Sequence, residues 1–109
     1  MKIHDFHTAN GKNVIKDYLH NLPAHERTYG YKIRHKIIED GLKAFDGLDT
    51  RQLKGKLWEI KFSANRIMYV IQDGDNVYFL HVCKKQKGKA EKFELETAIN
   101  RAKEKGFEI

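Results

Sequence analysis

Residues 58–84 read WEIKFSANRIMYVIQDGDNVYFLHVCK, and this stretch decides the fold. Trp58, Ile60 and Phe62 alternate with Glu59 and Lys61, the period-2 pattern of a half-buried strand. Asn65 to Gln72 reads as a second strand and Asn76 to Lys84 as a third. Between them, Asp73-Gly74-Asp75-Asn76 is built from residues that tolerate the positive φ angles of a tight hairpin. Three strands with short connections predict an antiparallel sheet in which Trp58, Ile60 and Phe62 face a layer of helices and Glu59 and Lys61 point away from it.

On the N-terminal side the period changes to 3.6. Val14, Ile15, Tyr18, Leu19 and Leu22 recur at helical spacing, so a first helix runs to about Asn21, with Asn10-Gly11 ahead of it as a cap. Pro23, the only proline, suits the first turn of a second helix. Ile33, Ile37, Ile38, Leu42 and Phe45 give that helix one apolar stripe, which stops near Asp46-Gly47. The two helices read as a hairpin. Met1–His7 is a weak strand. Beyond the sheet, Lys84 to Lys89 is a basic loop, and Ala90 to Lys105 is a last helix with Leu95, Ala98, Ile99 and Ala102 on one face and Gly106 as its stop. The expected fold is α+β, of order β-α-α-β-β-β-α. Its helical hairpin and C-terminal helix cover one face of the antiparallel sheet and leave the other partly open. Residues 1–109 are read as a single domain.

Charge is concentrated in the same region. Residues 51–89 hold nine lysines and arginines against three acids, which equals the net +6 of the whole chain. A segment of this kind on one sheet and its rims is a candidate polyanion-binding face, with a solvated basic surface as the plainer alternative. Cys83 is the only cysteine, so no intramolecular disulfide forms, which suits a reducing compartment. No apolar run approaches membrane-spanning length. A cytoplasmic location is the expectation.

Several residues carry possible chemistry. Lys61 and Arg66 open towards each other on one rim of the sheet, where a phosphate can bridge two cations; two ordinary surface cations are the other reading. His81 sits inside the run Val77 to Cys83, on the same parity as Val77, Phe79 and Cys83. It reads either as a proton carrier beside a basic rim or as a packed structural histidine. Phe93 lies off the apolar stripe of the last helix and either packs on the preceding loop or offers a stacking surface. His4 and His7 fall on opposite faces of a strand, and no Cys/His cluster has zinc spacing. No pair of acids falls on the expected active face, so no metal site and no cofactor is expected.

Four segments complete the reading: Leu22-Pro23-Ala24-His25-Glu26-Arg27, Leu53-Lys54-Gly55-Lys56-Leu57-Trp58-Glu59-Ile60-Lys61, Asn65-Arg66-Ile67-Met68-Tyr69, and Leu80-His81-Val82-Cys83-Lys84-Lys85-Gln86-Lys87. In this order, on these elements, they make the chain resemble the RelE/HigB superfamily of type II toxin–antitoxin toxins, and within it the phage-derived HigB-like branch. The resemblance implies a metal-independent endoribonuclease that cuts mRNA, usually on the ribosome, by 2′-hydroxyl attack on the scissile phosphate. It also implies a helix-turn-helix antitoxin as partner. By position, Lys61 and Arg66 fall on a strand lysine and a strand arginine of the RelE pattern, and Lys85 falls near a later arginine. His81, Lys84 and Lys87 match the basic tail of the HigB-like branch. Lys61, Arg66, His81 and Lys85 are therefore the expected catalytic set. Lys54, Lys56, Lys84, Lys87, Lys89 and Phe93 are the expected RNA-binding set. Phe93 stands nearest to where some relatives carry a tyrosine, and Glu59 stands where another carries a lysine, so the proton-transfer residues stay open. Two further readings remain beside the nuclease: a non-catalytic RNA- or ribosome-binding module, and a basic surface for an acidic protein partner.

Overall fold

The computed structural model describes residues 1–109. Its elements are β1 (Lys2–Asp5), α1 (Val14–His20), α2 (Ala24–Asp40), a 3₁₀ helix (Gly41–Gly47), β2 (Asp49–Lys54), β3 (Leu57–Phe62), β4 (Asn65–Gln72), β5 (Asn76–Lys84) and α3 (Gly88–Glu104). The five strands form one sheet in the order β1-β5-β4-β3-β2, with β1 parallel to β5 and every other pair antiparallel. The α+β class, the hairpin at Asp73–Asn76, the helical hairpin and the C-terminal helix match the expected architecture, which is that of the RelE-like fold.

Local chemistry accounts for the boundaries. The cap of α1 is Asn13, whose Oδ1 accepts from the amides of Ile15 and Lys16 at 3.1 and 2.9 Å. The expected second helix is shorter than its stripe suggested. It ends at Asp40, and the 3₁₀ helix carries the chain on, leaving Ile38 and Leu42 exposed. Gly30 permits the close approach of α1 to α2, because a Cβ there would sit 2.9 Å from Leu19 Cδ2. Gly55 turns β2 into β3 at φ +53°, and a Cβ there would strike the backbone carbonyl carbon of Ile109 at 2.6 Å.

The structure corrects the sequence reading in four further places. First, β2 was not expected. Asp49-Thr50-Arg51-Gln52-Leu53-Lys54 has one apolar residue because it is an edge strand with little to bury. Second, the helices do not share one face. Ile60, Phe62, Ile67, Tyr69, Val77, Phe79 and Val82 pack under α1 and α2, whereas Leu57, Met68, Val70, Leu80 and Cys83 pack with Ala98 and Ala102 of α3 on the opposite face. Third, Trp58 shares the side of Ile60 and Phe62 but lies beyond the helices and is 36% exposed. It lines a groove with Leu42, Phe45 and Tyr69 and is not part of the buried core. Fourth, β5 is irregular. Met68 pairs with His81 and Tyr69 with Phe79, so Leu80 is an extra residue. The bulge reverses the side-chain parity, and His81 joins Leu80 and Cys83 on the α3 face, away from Val77 and Phe79.

Candidate active site

The α3 face is not fully covered. Where α3 begins, a cleft remains between it and the ends of the strands. Arg51 of β2, Glu59 and Lys61 of β3, Arg66 and Met68 of β4, Cys83 and Lys84 of β5, Lys85 and Gln86 of the following loop, and Glu91, Glu94 and Leu95 of α3 line it. Its volume is about 160 Å³. Pockets for whole small molecules hold roughly 300–1,000 Å³, so this cleft suits one charged group of a longer chain.

Strand register builds the cationic part. Lys61 and Arg66 are directly opposed across the β3–β4 hairpin, and both point to the α3 face because Ile60, Phe62 and Ile67 point to the other. Arg66 Nη1 donates to the carbonyls of Asn65 at 2.8 Å and Ser63 at 3.4 Å, which holds its guanidinium at the hairpin tip. Ser63 adopts φ +51° in that tip, a sparsely populated conformation for a residue with a Cβ. The amide of Lys85 donates to the carbonyl of Ala64 at 2.7 Å, which ties the β5–α3 loop to the same tip. Neither Lys61 nor Lys85 forms an ion pair or a side-chain hydrogen bond. Of the expected catalytic set, Lys61, Arg66 and Lys85 thus meet in one cleft.

The expected RNA-binding residues divide. Lys84 lines the cleft at its backbone end, but its Nζ turns towards the helical hairpin. There it donates to Asn65 Oδ1 at 3.0 Å, pairs with Glu26 at 3.7 Å and lies over the Tyr18 ring. Asn65 is wholly buried and also receives the Tyr18 hydroxyl at 2.7 Å while donating to Glu26 at 2.8 Å. Lys56 lines the Trp58 groove on the other face of the sheet. Lys54, Lys87 and Lys89 are exposed outside the cleft, at the end of β2 and the start of α3. Phe93 is 66% exposed and does not line the cleft.

Three carboxylates share the cleft, contrary to the expectation that no acids pair on this face. Glu59 points away from the helical hairpin as expected, yet it is only 2% exposed. One of its oxygens is 3.0 Å from Arg51 Nε and 4.0 Å from Arg66 Nε. Glu91 is exposed and unpaired. Glu94 Oε2 is 2.6 Å from His81 Nε2 and pairs with no lysine or arginine.

His81 lies behind this wall, outside the cleft lining. Arg101 Nη1 donates to the carbonyl of Leu80 at 2.9 Å and faces His81 Nδ1 at 3.1 Å. Arginine has no acceptor, so Nδ1 is the accepting nitrogen and Nε2 carries the proton that Glu94 receives. Burial lowers the His81 pKa below its ordinary value, and Arg101 adds to the effect against the pull of Glu94. The unfolded chain therefore takes up this proton at a higher pH than the folded one. The stabilising difference is complete above the ordinary histidine range and shrinks as pH falls through it. We expect the Tm to fall between pH 7 and pH 5, and to fall less steeply in His81→Gln; equal slopes in calorimetry on both proteins would show that His81 does not titrate in this way.

His81, Cys83 and Glu94 also form the one triad of potential metal-binding side chains, with donor atoms within 4.8 Å of one another. The donor set does not fit an ion as it stands. The proton on His81 Nε2 occupies the lone-pair position, and moving it to Nδ1 sets it against the Arg101 guanidinium. Burial pushes the Cys83 thiol up to about 12, and the neighbouring carboxylates add to the effect, so without an ion it is a protonated thiol. Sequence reasoning missed Arg51, Glu94 and Arg101. Only the last two left a signal: they flank the Leu95–Ala98–Ile99–Ala102 stripe at a spacing of seven, two charged residues on the buried side of α3.

A tight cationic cleft at a β-hairpin tip, on this topology, is where the likeness to known proteins becomes decisive. Residues 17–103 match the family described as phage derived protein Gp49-like (DUF891). The chain belongs to the phage-derived Gp49-like family. The matched span contains the second half of α1, all of α2, β2 to β5 and almost all of α3, and so every residue of the cleft. The Gp49-like family is a RelE-type, toxin-like family, and a toxin of this kind implies an antitoxin partner. No curated protein matches the sequence. No helix is long and apolar enough to cross a membrane.

Proposed function

We propose that residues 1–109 form one toxin domain of the HigB-like branch, a metal-independent endoribonuclease that cuts mRNA on the ribosome and is neutralised by a helix-turn-helix antitoxin. The observation that carries this reading is the cross-strand pair Lys61 and Arg66, joined by Lys85, in a cleft sized for one phosphate. Attack by a 2′-hydroxyl develops charge on a pentavalent phosphorus. Preorganised cations stabilise that charge in a cleft partly shielded from water. Arg66 can hold two phosphate oxygens at once, and the lysines act as point charges. The nucleophile belongs to the RNA itself, so the protein needs to supply only charge, orientation and proton transfer, and DNA is not a substrate.

The non-catalytic RNA-binding reading makes use of the exposed Lys54, Lys87, Lys89 and Phe93, which stand outside the cleft. It gives no role to the half-buried hairpin-tip arginine, Arg66. One experiment tests the nuclease. Translating ribosomes carrying a defined message are treated with the protein in buffer whose magnesium keeps the ribosome intact, first without and then with a chelator selective for transition metals. We expect cleavage to persist and the products to end in a 2′,3′-cyclic phosphate and a 5′-hydroxyl. Products ending in a 3′-hydroxyl refute the chemistry, and intact message with bound protein favours the non-catalytic module.

A further inference from the structure

We propose that Glu94 is the proton acceptor of this cleft and that His81 and Arg101 are its positioning residues. The assignment rests on the ribonuclease reading above. It follows from comparing the three carboxylates that line the cleft. Glu59 is buried, and its Oε2 lies 3.0 Å from Arg51 Nε and 4.0 Å from Arg66 Nε, compensated by their charge without an aligned hydrogen bond. Its negative charge holds those cations and is not free to take a proton from substrate. Glu91 is exposed in the first turn of α3 with nothing to orient it. Glu94 alone is held in place without being neutralised by a cation. One oxygen receives the His81 Nε2 proton at 2.6 Å, and the residue lines the same cleft as Lys61, Arg66 and Lys85.

The histidine cannot take the role itself. Each ring nitrogen is engaged, Nδ1 by Arg101 and Nε2 by Glu94, and neither presents a lone pair to the cleft. The chain Leu80 carbonyl–Arg101–His81–Glu94 runs from the β5 bulge to the cleft wall. It fixes the tautomer of the imidazole and, through it, the carboxylate. The bulge at Leu80 is what turns His81 towards α3 and makes the chain possible.

In the reaction so assigned, Glu94 takes the 2′-hydroxyl proton as the 2′-oxygen forms its bond to phosphorus. The bond from phosphorus to the 5′-oxygen breaks, and that oxygen takes a proton from the ammonium of Lys61 or Lys85. The products are a 2′,3′-cyclic phosphate and a 5′-hydroxyl. The protonated carboxylate and the neutral lysine then exchange protons with water, so no other reactant is needed.

The test is single-turnover cleavage of ribosome-bound message, with ribosome affinity and Tm measured on the same preparations. Glu94→Gln keeps an oxygen to receive the His81 proton and removes the basic charge. We expect a rate loss of about 10²–10⁴-fold, with affinity and Tm close to wild type. His81→Ala should also slow cleavage without weakening ribosome binding, and His81→Gln, whose amide can donate to Glu94, should restore part of the loss. A purely structural histidine would lower Tm and leave the rate per folded molecule unchanged. Glu94→Gln cutting at the wild-type rate overturns the assignment and leaves the ribonuclease reading standing. His81→Gln no more active than His81→Ala, with Glu94→Gln active, returns the proton to the histidine. Wild-type protein that leaves the message intact overturns both.

Discussion

Arg66→Ala should lower RNA cleavage by about 10²–10³-fold, the range seen when one preorganised donor is removed from a site of developing negative charge. Arg66 opens β4 directly opposite Lys61, and its side chain is 14% exposed at the mouth of the cleft. Its bonds to the carbonyls of Asn65 and Ser63 fix the guanidinium before any ligand arrives. That ordering is set by folding and is not repeated at each turnover. Arg66→Lys retains the charge but not the two-pronged donor, so its loss should fall between those of wild type and Arg66→Ala. Stability should change little, by about 1 kcal/mol, because two carbonyl contacts at a solvent-facing tip are lost while Arg51 stays 3.0 Å from Glu59 and keeps that buried carboxylate compensated. Single-turnover rates and melting curves for the three proteins check both halves. Full activity of Arg66→Ala would remove the cation pair from the mechanism.

The residues that form this grip were legible because strand parity is a strict rule wherever one face is buried. Ile60 and Phe62 face the helical hairpin, so Lys61 must face the other way, and the short Ser63-Ala64 turn brings Arg66 opposite it. The same rule misplaced His81, since one extra residue at Leu80 reverses parity and no composition signal marks it. The second layer of helix was legible in principle. Ile67, Met68, Tyr69, Val70 and Ile71 are apolar on both parities, the pattern of a strand buried on both faces. Charge was the weakest guide. It located a basic segment but not a basic face: Lys56 falls on the far side of the sheet, and the Lys84 ammonium turns to Asn65 and Glu26. The carboxylates that share the cleft come partly from α3, outside the basic segment, and their approach depends on a tertiary contact that one sequence does not display.

Stability should depend most steeply on a residue that reads as ordinary surface charge. Arg34, in the middle of α2, donates through Nη1 and Nη2 to the two oxygens of Asp5 at 2.7 and 2.9 Å, and its guanidinium lies over the Phe79 ring. The two side chains are 10% and 5% exposed. Asp5 also receives Asn13, the cap of α1, at 3.0 Å, so one carboxylate joins β1, α1 and α2. Arg34→Met keeps much of the stem and removes the charge. It leaves Asp5 buried with one neutral donor, and breaking a buried pair in this way costs roughly 3–5 kcal/mol. For a domain of this size the Tm should fall by at least about 12 °C. Replacing both partners removes the stranded charge, so Asp5→Asn with Arg34→Met should cost less than the two single changes together. Neither residue lines the cleft, and β1, α1 and α2 contribute nothing to its walls. Cleavage per folded molecule should therefore survive Arg34→Met at a temperature where the variant is folded, the reverse of the Arg66→Ala result. A Tm within about 3 °C of wild type would mean that water reaches the pair and that its charges are screened as at an exposed site.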